Sequence, residues 1–236
     1  SEVGRAGVIT DEKTHTKKVI FHPLMMPRIT ICDPELTMGM PRMVTVGTGM
    51  DAFAHCLEAC CGAAYHPLAD GIALEGLRLV KENLPRVFRS PDDIEARGHM
   101  MAAAAMGATA FQKGLGAIHA LSHPVGSLHN THHGMTNAVF MPYVLMFNRR
   151  AIEDKMTRVS AYLGLKPGFS GFLDHVMELR HELRVPHSLA ELGVTNPDIA
   201  LMSKMAPLDP TAGGNPVPLD EKSAAMLFEK AMGGKL

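Results

Sequence analysis

From Gly47 to the last residue, Leu236, apolar side chains recur every three or four positions in runs of helical length, and strand-like alternation is absent from them. Each such run buries a single stripe, so this part of the chain must fold as helices packed on helices. Start and stop residues divide the pattern. Thr48 is placed to cap a helix over about 49–61, and Pro67 opens one that ends near Pro85. Ser90, Pro91, Asp92 and Asp93, with Glu95 behind them, start a long helix over 92–111 that Lys113-Gly114 stops. Further helices are predicted over 116–127, 134–147, 151–163, 168–183, 197–205 and 220–232, with Gly/Pro loops at 166–168 and 210–218. Residues 1–46 read differently. Short β-branched runs at 7–10, 18–21 and 29–32 lie between Pro, Gly and charged residues, and are too few and too short to make a stable sheet alone. The expected fold class is mainly α: a multi-helix domain over 47–236 after a strand-bearing lead-in, 1–46, whose strands need partners elsewhere.

Composition narrows the function classes. Apolar residues make up 46% and charged residues 20%, the profile of a folded chain. The formal net charge of −1, with both signs interspersed, gives no basic face for nucleic acid or an acidic membrane; Lys17-Lys18 and Arg149-Arg150 read as solvated surface. The longest apolar run, 100–111, is too short and alanine-rich to span a bilayer, and no signal segment opens the chain. Three of the four cysteines, Cys56, Cys60 and Cys61, crowd into six residues, and Cys32 stands alone. That spacing suits neither disulfides nor a four-cysteine zinc site, so reduced thiols in a cytoplasmic protein are expected. Met100, Met101 and Met106 read as adaptable core, and Asp70 and Glu75 as a solvated face. The chain opens at Ser1 inside a pattern, which reads as a fragment.

Thirteen histidines are present, and five of them (His119, His123, His129, His132 and His133) fall within fifteen residues. Asp51 and His55 stand four apart inside a predicted helix, as do His119 and His123, so each pair shares one helix face. His133 follows at the mouth of the next helix. One carboxylate with several imidazoles suits Fe²⁺ or Zn²⁺ better than Ca²⁺ or Mg²⁺. On spacing alone His129 and His132 qualify as ligands equally well, and so does the reading that none of them binds metal.

The strings GTGMDAFAHCLEA (47–59), GLGAIHALSHPVG (114–126) and HHGMTNAVFMPYV (132–144) resemble the signature segments of the iron-containing alcohol dehydrogenase family. The likeness continues through SEVGRAGVITDEKT at the start, ITICDPELT (29–37), NLPRVF (83–88) and DPTAGGNPVPL (209–219), in family order. The resemblance implies a dehydroquinate synthase-like, metal-binding α domain, with residues 1–46 a remnant of the dinucleotide-binding half. It implies Asp51, His55, His119 and His133 as metal ligands, the fourteen-residue interval after His119 selecting His133 over His132. His123 takes the position of a proton relay, and Phe111 and Thr211 border the substrate pocket. The implied activity is metal-dependent hydride transfer between a small alcohol or aldehyde and NAD(P), in a homo-oligomer. The retained ligands argue against the metal-free maleylacetate reductase branch. The family's phosphate-binding GGGS-type loop does not occur in this sequence, so the residues that bind the cofactor are not assigned. Two alternatives stand beside this expectation: a zinc-dependent glycerol dehydrogenase or dehydroquinate synthase-like enzyme, and a non-catalytic helical fragment that keeps the metal site. A helical metal-dependent phosphohydrolase is disfavoured because no His-Asp dipeptide occurs.

Overall fold

The computed structural model describes residues 3–4, 6–13 and 16–236, excepting the side chains of Thr10, Thr16 and Lys17. Strands β1 (Ala6–Asp11) and β2 (Thr16–Phe21) pair antiparallel, with Ala6 opposite Phe21 and Val8 opposite Val19. Eight α-helices follow among the described residues: α1 (Arg42–Cys61), α2 (Pro67–Arg89), α3 (Ile94–Ala110), α4 (Ala117–His129), α5 (His133–Tyr162), α6 (Gly168–Glu182), α7 (Ile199–Met205) and α8 (Glu221–Gly233). The mainly helical class read from the sequence is the class observed. None of the described helices is long and apolar enough to cross a membrane.

Helix α1 is the centre of the packing. Its second half is buried on nearly every side, from Ala52 to Cys61 except His55, and α2, α3 and α5 all lie against it. Such a helix carries apolar residues all round rather than in one stripe. Helix α4 is equally enclosed over residues 117–125, and α5 is buried through its first half. The two catalytically suggestive segments, α1 and α4, are therefore interior elements rather than surface helices.

The structure corrects several sequence expectations. Helix α1 starts at Arg42, not near Gly49, and Thr48 caps nothing: its hydroxyl donates back to the Val44 carbonyl at 2.8 Å inside the helix. Gly47 and Gly49, where the sequence placed the helix start, lie inside α1 as clearance residues. A Cβ on Gly47 would lie 2.3 Å from the His132 ring, and one on Gly49 2.4 Å from Leu84. Helix α2 continues through Pro85 to Arg89, and the predicted helices over 134–147 and 151–163 are one thirty-residue helix, α5. The polar run at 148–150 does not break it because Asn148 is buried and exchanges hydrogen bonds with Asn215 at 2.8 Å each way. The run at 29–32 forms no strand; Ile29 and Ile31 lie more than four-fifths exposed with no strand beside them among the described residues. Asp70 is not merely solvated: it pairs at 2.6 Å with Lys113, whose side chain is 1% exposed and also donates to the Ala59 carbonyl. Glu75 is bound by Arg78 and by the Tyr162 hydroxyl.

The cysteines make a simple prediction. Cys56, Cys60 and Cys61 are buried and unbridged, and Cys32 is exposed. Burial pushes the Cys60 thiol up to about 12 and those of Cys56 and Cys61 higher still. A raised thiol pKa leaves almost no thiolate at neutral pH, and the thiolate is the reactive species. In the folded chain at pH 8, iodoacetamide should therefore alkylate Cys32 alone, with the other three labelled only after denaturation. Rapid native labelling at four sites, read by mass spectrometry, would contradict this packing.

Candidate metal centre

Three helices meet at one point. Asp51 comes from the middle of α1, His119 from the first turn of α4 and His133 from the first residue of α5. One ligand atom from each lies within 4.8 Å of the other two. The Asp51 Oδ1 atom stands 3.5 Å from both His119 Nε2 and His133 Nε2. His55, one turn along α1 from Asp51, sits beside this group: its Nε2 is 3.7 Å from the other Asp51 oxygen, and its ring stacks on that of His119 at 4.9 Å between centroids. His123, one turn along α4 from His119, stacks on His133 at 5.4 Å. The five residues singled out for chemistry, Asp51, His55, His119, His123 and His133, are thus brought together.

Close approach makes the meeting possible. Helix α5 begins against α1 so tightly that a Cβ on Gly134 would lie 2.0 Å from the Gly47 carbonyl oxygen and 3.0 Å from Asp51 Cβ. The neighbouring histidines have other work. His132 is the N-cap of α5, its Nδ1 accepting from the Met135 N–H at 3.4 Å. His129 closes the far end of α4, ten residues and about 15 Å along the helix axis from His119.

The remaining predicted residues lie around this group. Phe111, at the end of α3, packs its ring 4.9 Å from that of His55. Thr211 stands one step further out: its N–H and hydroxyl both donate to Asp209 Oδ1, at 2.9 and 2.6 Å. The other Asp209 oxygen accepts from His123 Nδ1 at 2.7 Å. A cavity of about 130 Å³ opens beside His123 and Asp209, lined also by Ser127, Met205 and Leu208. A cavity of about 400 Å³ between α1, α2, α3 and the lead-in is lined mostly by residues such as Ile31, Leu84, Val87 and Met100, with no member of the histidine cluster.

Three residues at this centre escaped the sequence reading. Glu58 is 5% exposed and accepts from His119 Nδ1 at 2.6 Å and from the Ile118 N–H at 2.7 Å. The Asn137 amide nitrogen lies 2.7 Å from Asp51 Oδ1 and 3.1 Å from both His119 Nε2 and His133 Nε2. Asp209 holds His123. The signals were periodic: Glu58 continues the Asp51, His55 face at i+7, and Asn137 is one turn from His133. A glutamate inside an apolar helix is itself notable, since carboxylates are almost never fully buried unless paired.

Charge follows geometry. Burial pushes Asp51 up, but His55, His119 and His133 together hold its carboxyl far below the ordinary range. Burial and the neighbouring His119 lower His55 to about 4, against the pull of Asp51. Burial also opposes protonation of His119, yet Glu58 and Asp51 outweigh it and raise this imidazole to about 10. The Asp209 carboxyl is buried as well, but His123 and Thr211 hold it down. The signs define a stability window for the metal-stripped chain. A raised His119 contributes stability that is complete below its unfolded value near 6.5 and lost as pH rises through about 10. A depressed His55 contributes above about 6.5 and is lost as pH falls toward 4. Melting temperature in EDTA should therefore peak near pH 6.5 and decline on both sides; a flat profile from pH 5 to 9 would contradict these interactions.

Asp51, His55, His119 and His133 offer one carboxylate and three imidazole nitrogens, buried or half-buried and close together. That donor set fits a divalent transition metal of the Fe²⁺ or Zn²⁺ kind. The chain is also similar to known proteins. Residues 45–232 match the family model described as Fe-containing alcohol dehydrogenase family, C-terminal. The chain is 42% identical over 205 residues to a 4-hydroxybutyrate dehydrogenase of Cupriavidus necator, covering 83% of this chain and 53% of that protein. It is 33% identical to a 1,3-propanediol dehydrogenase of Citrobacter freundii, over 98% of this chain and 62% of the relative. A solved 1,3-propanediol oxidoreductase superposes with a TM-score of 0.92 at 31% identity, over 98% of this chain and 63% of that one. The chain thus spans little more than half to three-fifths of the length of these relatives.

Proposed function

Because the chain belongs to the Fe-containing alcohol dehydrogenase family, we propose that it carries the metal-holding part of an NAD(P)-dependent enzyme that interconverts small alcohols and aldehydes. The observation that carries this reading is the convergence of Asp51, His119 and His133 within 4.8 Å, with His55 and His123 against them. Asp51, His55, His119 and His133 hold one Fe²⁺, with Zn²⁺ the alternative that the same donors suit. When bound, the ion supplies Lewis acidity toward the substrate oxygen, and a nicotinamide supplies the hydride exchange.

The chain's own residues do the rest. Asp209 binds the Nδ1 side of His123, which leaves Nε2 as the ring atom that takes the hydroxyl proton in oxidation and returns it in reduction. The cavity beside His123 gives that proton a way to solvent. Phe111 supplies an apolar wall next to His55, and Thr211 fixes Asp209. Residues 47–236 form the metal-holding domain, with α1 already starting at Arg42, and residues 1–46 belong with a nucleotide-binding half. The exposed apolar residues Val8, Ile9, Phe21, Ile29 and Ile31 support that assignment, since a hairpin of two strands is marginal alone. The unbridged buried thiols fit the cytoplasm, and the family resemblance supports a homo-oligomer as the working form.

The test is an NAD(P)-linked assay of the full-length protein on small primary alcohols, diols and 4-hydroxybutyrate, before and after metal removal. Turnover lost with the ion and restored by Fe²⁺ or Zn²⁺ is the expected result. Metal-independent turnover would contradict the metal's role, and a metal-loaded full-length protein inactive on all these substrates would contradict the activity.

A further inference from the structure

We propose that Glu58 is a positioning residue of this centre, turning the Nε2 lone pair of His119 toward the ion; the inference rests on the metal reading above. The N-cap of helix α4 (Ala117–His129) is Gly116, which has no side chain to cap the helix. Its first N–H groups are capped from outside: Ala117 donates to Asn215 Oδ1 at 3.1 Å and Ile118 to Glu58 Oε1 at 2.7 Å. The second Glu58 oxygen takes His119 Nδ1 at 2.6 Å. One carboxylate thus fixes both the backbone of this turn and the ring that projects from it.

The crowding indicates a built device. A Cβ on residue 116 would stand 2.9 Å from Asn215 Oδ1 and 3.1 Å from Glu58 Oε1, so glycine there leaves room for both acceptors. Glu58 lies on the α1 face that carries Asp51 and His55 and is 5% exposed, while His119 is 2% exposed. A carboxylate that only accepts requires a proton on His119 Nδ1. In the neutral ring the free lone pair then sits on Nε2, the atom 3.5 Å from Asp51 Oδ1. Carboxylates on the far nitrogen of a ligating histidine fix its tautomer and raise its basicity.

Glu58→Gln tests this with almost no change of shape. The amide has one acceptor and one donor face, whereas the site presents two N–H groups. With its oxygen on Ile118, its NH₂ meets Nδ1 and drives the ring proton onto Nε2, where it blocks coordination. With its oxygen on His119, the Ile118 N–H is left facing a donor. The affinity of the purified chain for Zn²⁺ and Co²⁺, measured by chelator competition, should fall about 10- to 100-fold. Asn215→Ala, which removes a cap but leaves the Glu58–His119 pair, should melt lower yet bind within a few-fold of wild type. Circular dichroism checks that each variant is folded. Wild-type binding with Glu58→Gln equally tight overturns the role of Glu58 and leaves the metal reading intact. A wild-type chain that binds neither ion overturns both. Should Glu58→Gln fail to fold, proton NMR of the Co²⁺-loaded wild type decides: a shifted imidazole N–H protected from solvent exchange supports the proposal, and rapid exchange of every such proton overturns it.

Discussion

Gly134→Ala should lose roughly 3 kcal/mol of stability or more and most of the chain's metal affinity with it. The cause is steric and local. The added methyl would stand 2.0 Å from the Gly47 carbonyl oxygen, a backbone atom of a buried helix that cannot swing aside as a side-chain tip can. Interiors are close-packed, so relief comes only by moving α5 away from α1. Those two helices carry His133 and Asp51, whose ligand atoms are 3.5 Å apart at this crossing. Thermal melts measure the first loss and chelator competition the second, with about 100-fold weaker binding expected, the upper range for disturbed ligand support. Gly71, by contrast, has nothing within 4 Å of a built Cβ. Gly71→Ala should be neutral to slightly stabilising in α2, which separates a general glycine effect from the crowding at residue 134. A Gly134→Ala chain that melts and binds metal like wild type would contradict the packing at the site.

His119→Ala should abolish metal retention while the chain remains helical at 25 °C. The substitution removes the imidazole that stands between Asp51 and Glu58, so one donor disappears and Glu58 loses the partner 2.6 Å away. A buried carboxylate left without its partner costs about 3–5 kcal/mol. The melting temperature should fall clearly even though the α1, α2, α3 and α5 contacts survive. Far-UV circular dichroism near that of wild type, a lowered melt and no stoichiometric ion are expected together. An ion held at full stoichiometry would show that His119 is not a ligand.

Much of the fold was legible because helical period and caps are local properties. The starts of α3, α7 and α8 coincide with Asp93, Asp198 and Asp220, each of which accepts from a backbone N–H in the first turn. The failures fell where tertiary contact overrules local preference. Gly47 and Gly49 looked like a helix boundary, yet they sit inside α1 because His132 and Leu84 press against them. Asn148 looked like a break, yet Asn215, 67 residues away, satisfies it inside α5. The run at 29–32 had the composition of a strand but has no partner strand among the described residues, and a strand exists only as half of a pair.

The site divides along the same line. Four-residue spacing put Asp51 with His55 and His119 with His123, because residues on one helix share a face whatever the fold. That the two pairs and His133 meet depends on how α1, α4 and α5 cross, and spacing alone left His129 and His132 equally eligible. The structure gives His132 a capping role and carries His129 to the other end of its helix. Glu58, Asn137 and Asp209 were not picked out because their partners are 61, 86 and 86 residues distant for His119, Asp51 and His123 respectively. Helical period marks the faces of Glu58 and Asn137 but does not encode these long-range pairings.

The folded chain should hold one divalent ion at the junction of α1, α4 and α5. Elemental analysis of the anaerobically purified chain, repeated after stripping and reloading with Fe²⁺ or Zn²⁺, tests that without an assay. Close to one equivalent of iron or zinc per chain is expected, lost in His119→Ala. No ion bound by the folded chain, even after reloading, would contradict it and leave the kinship as one of fold.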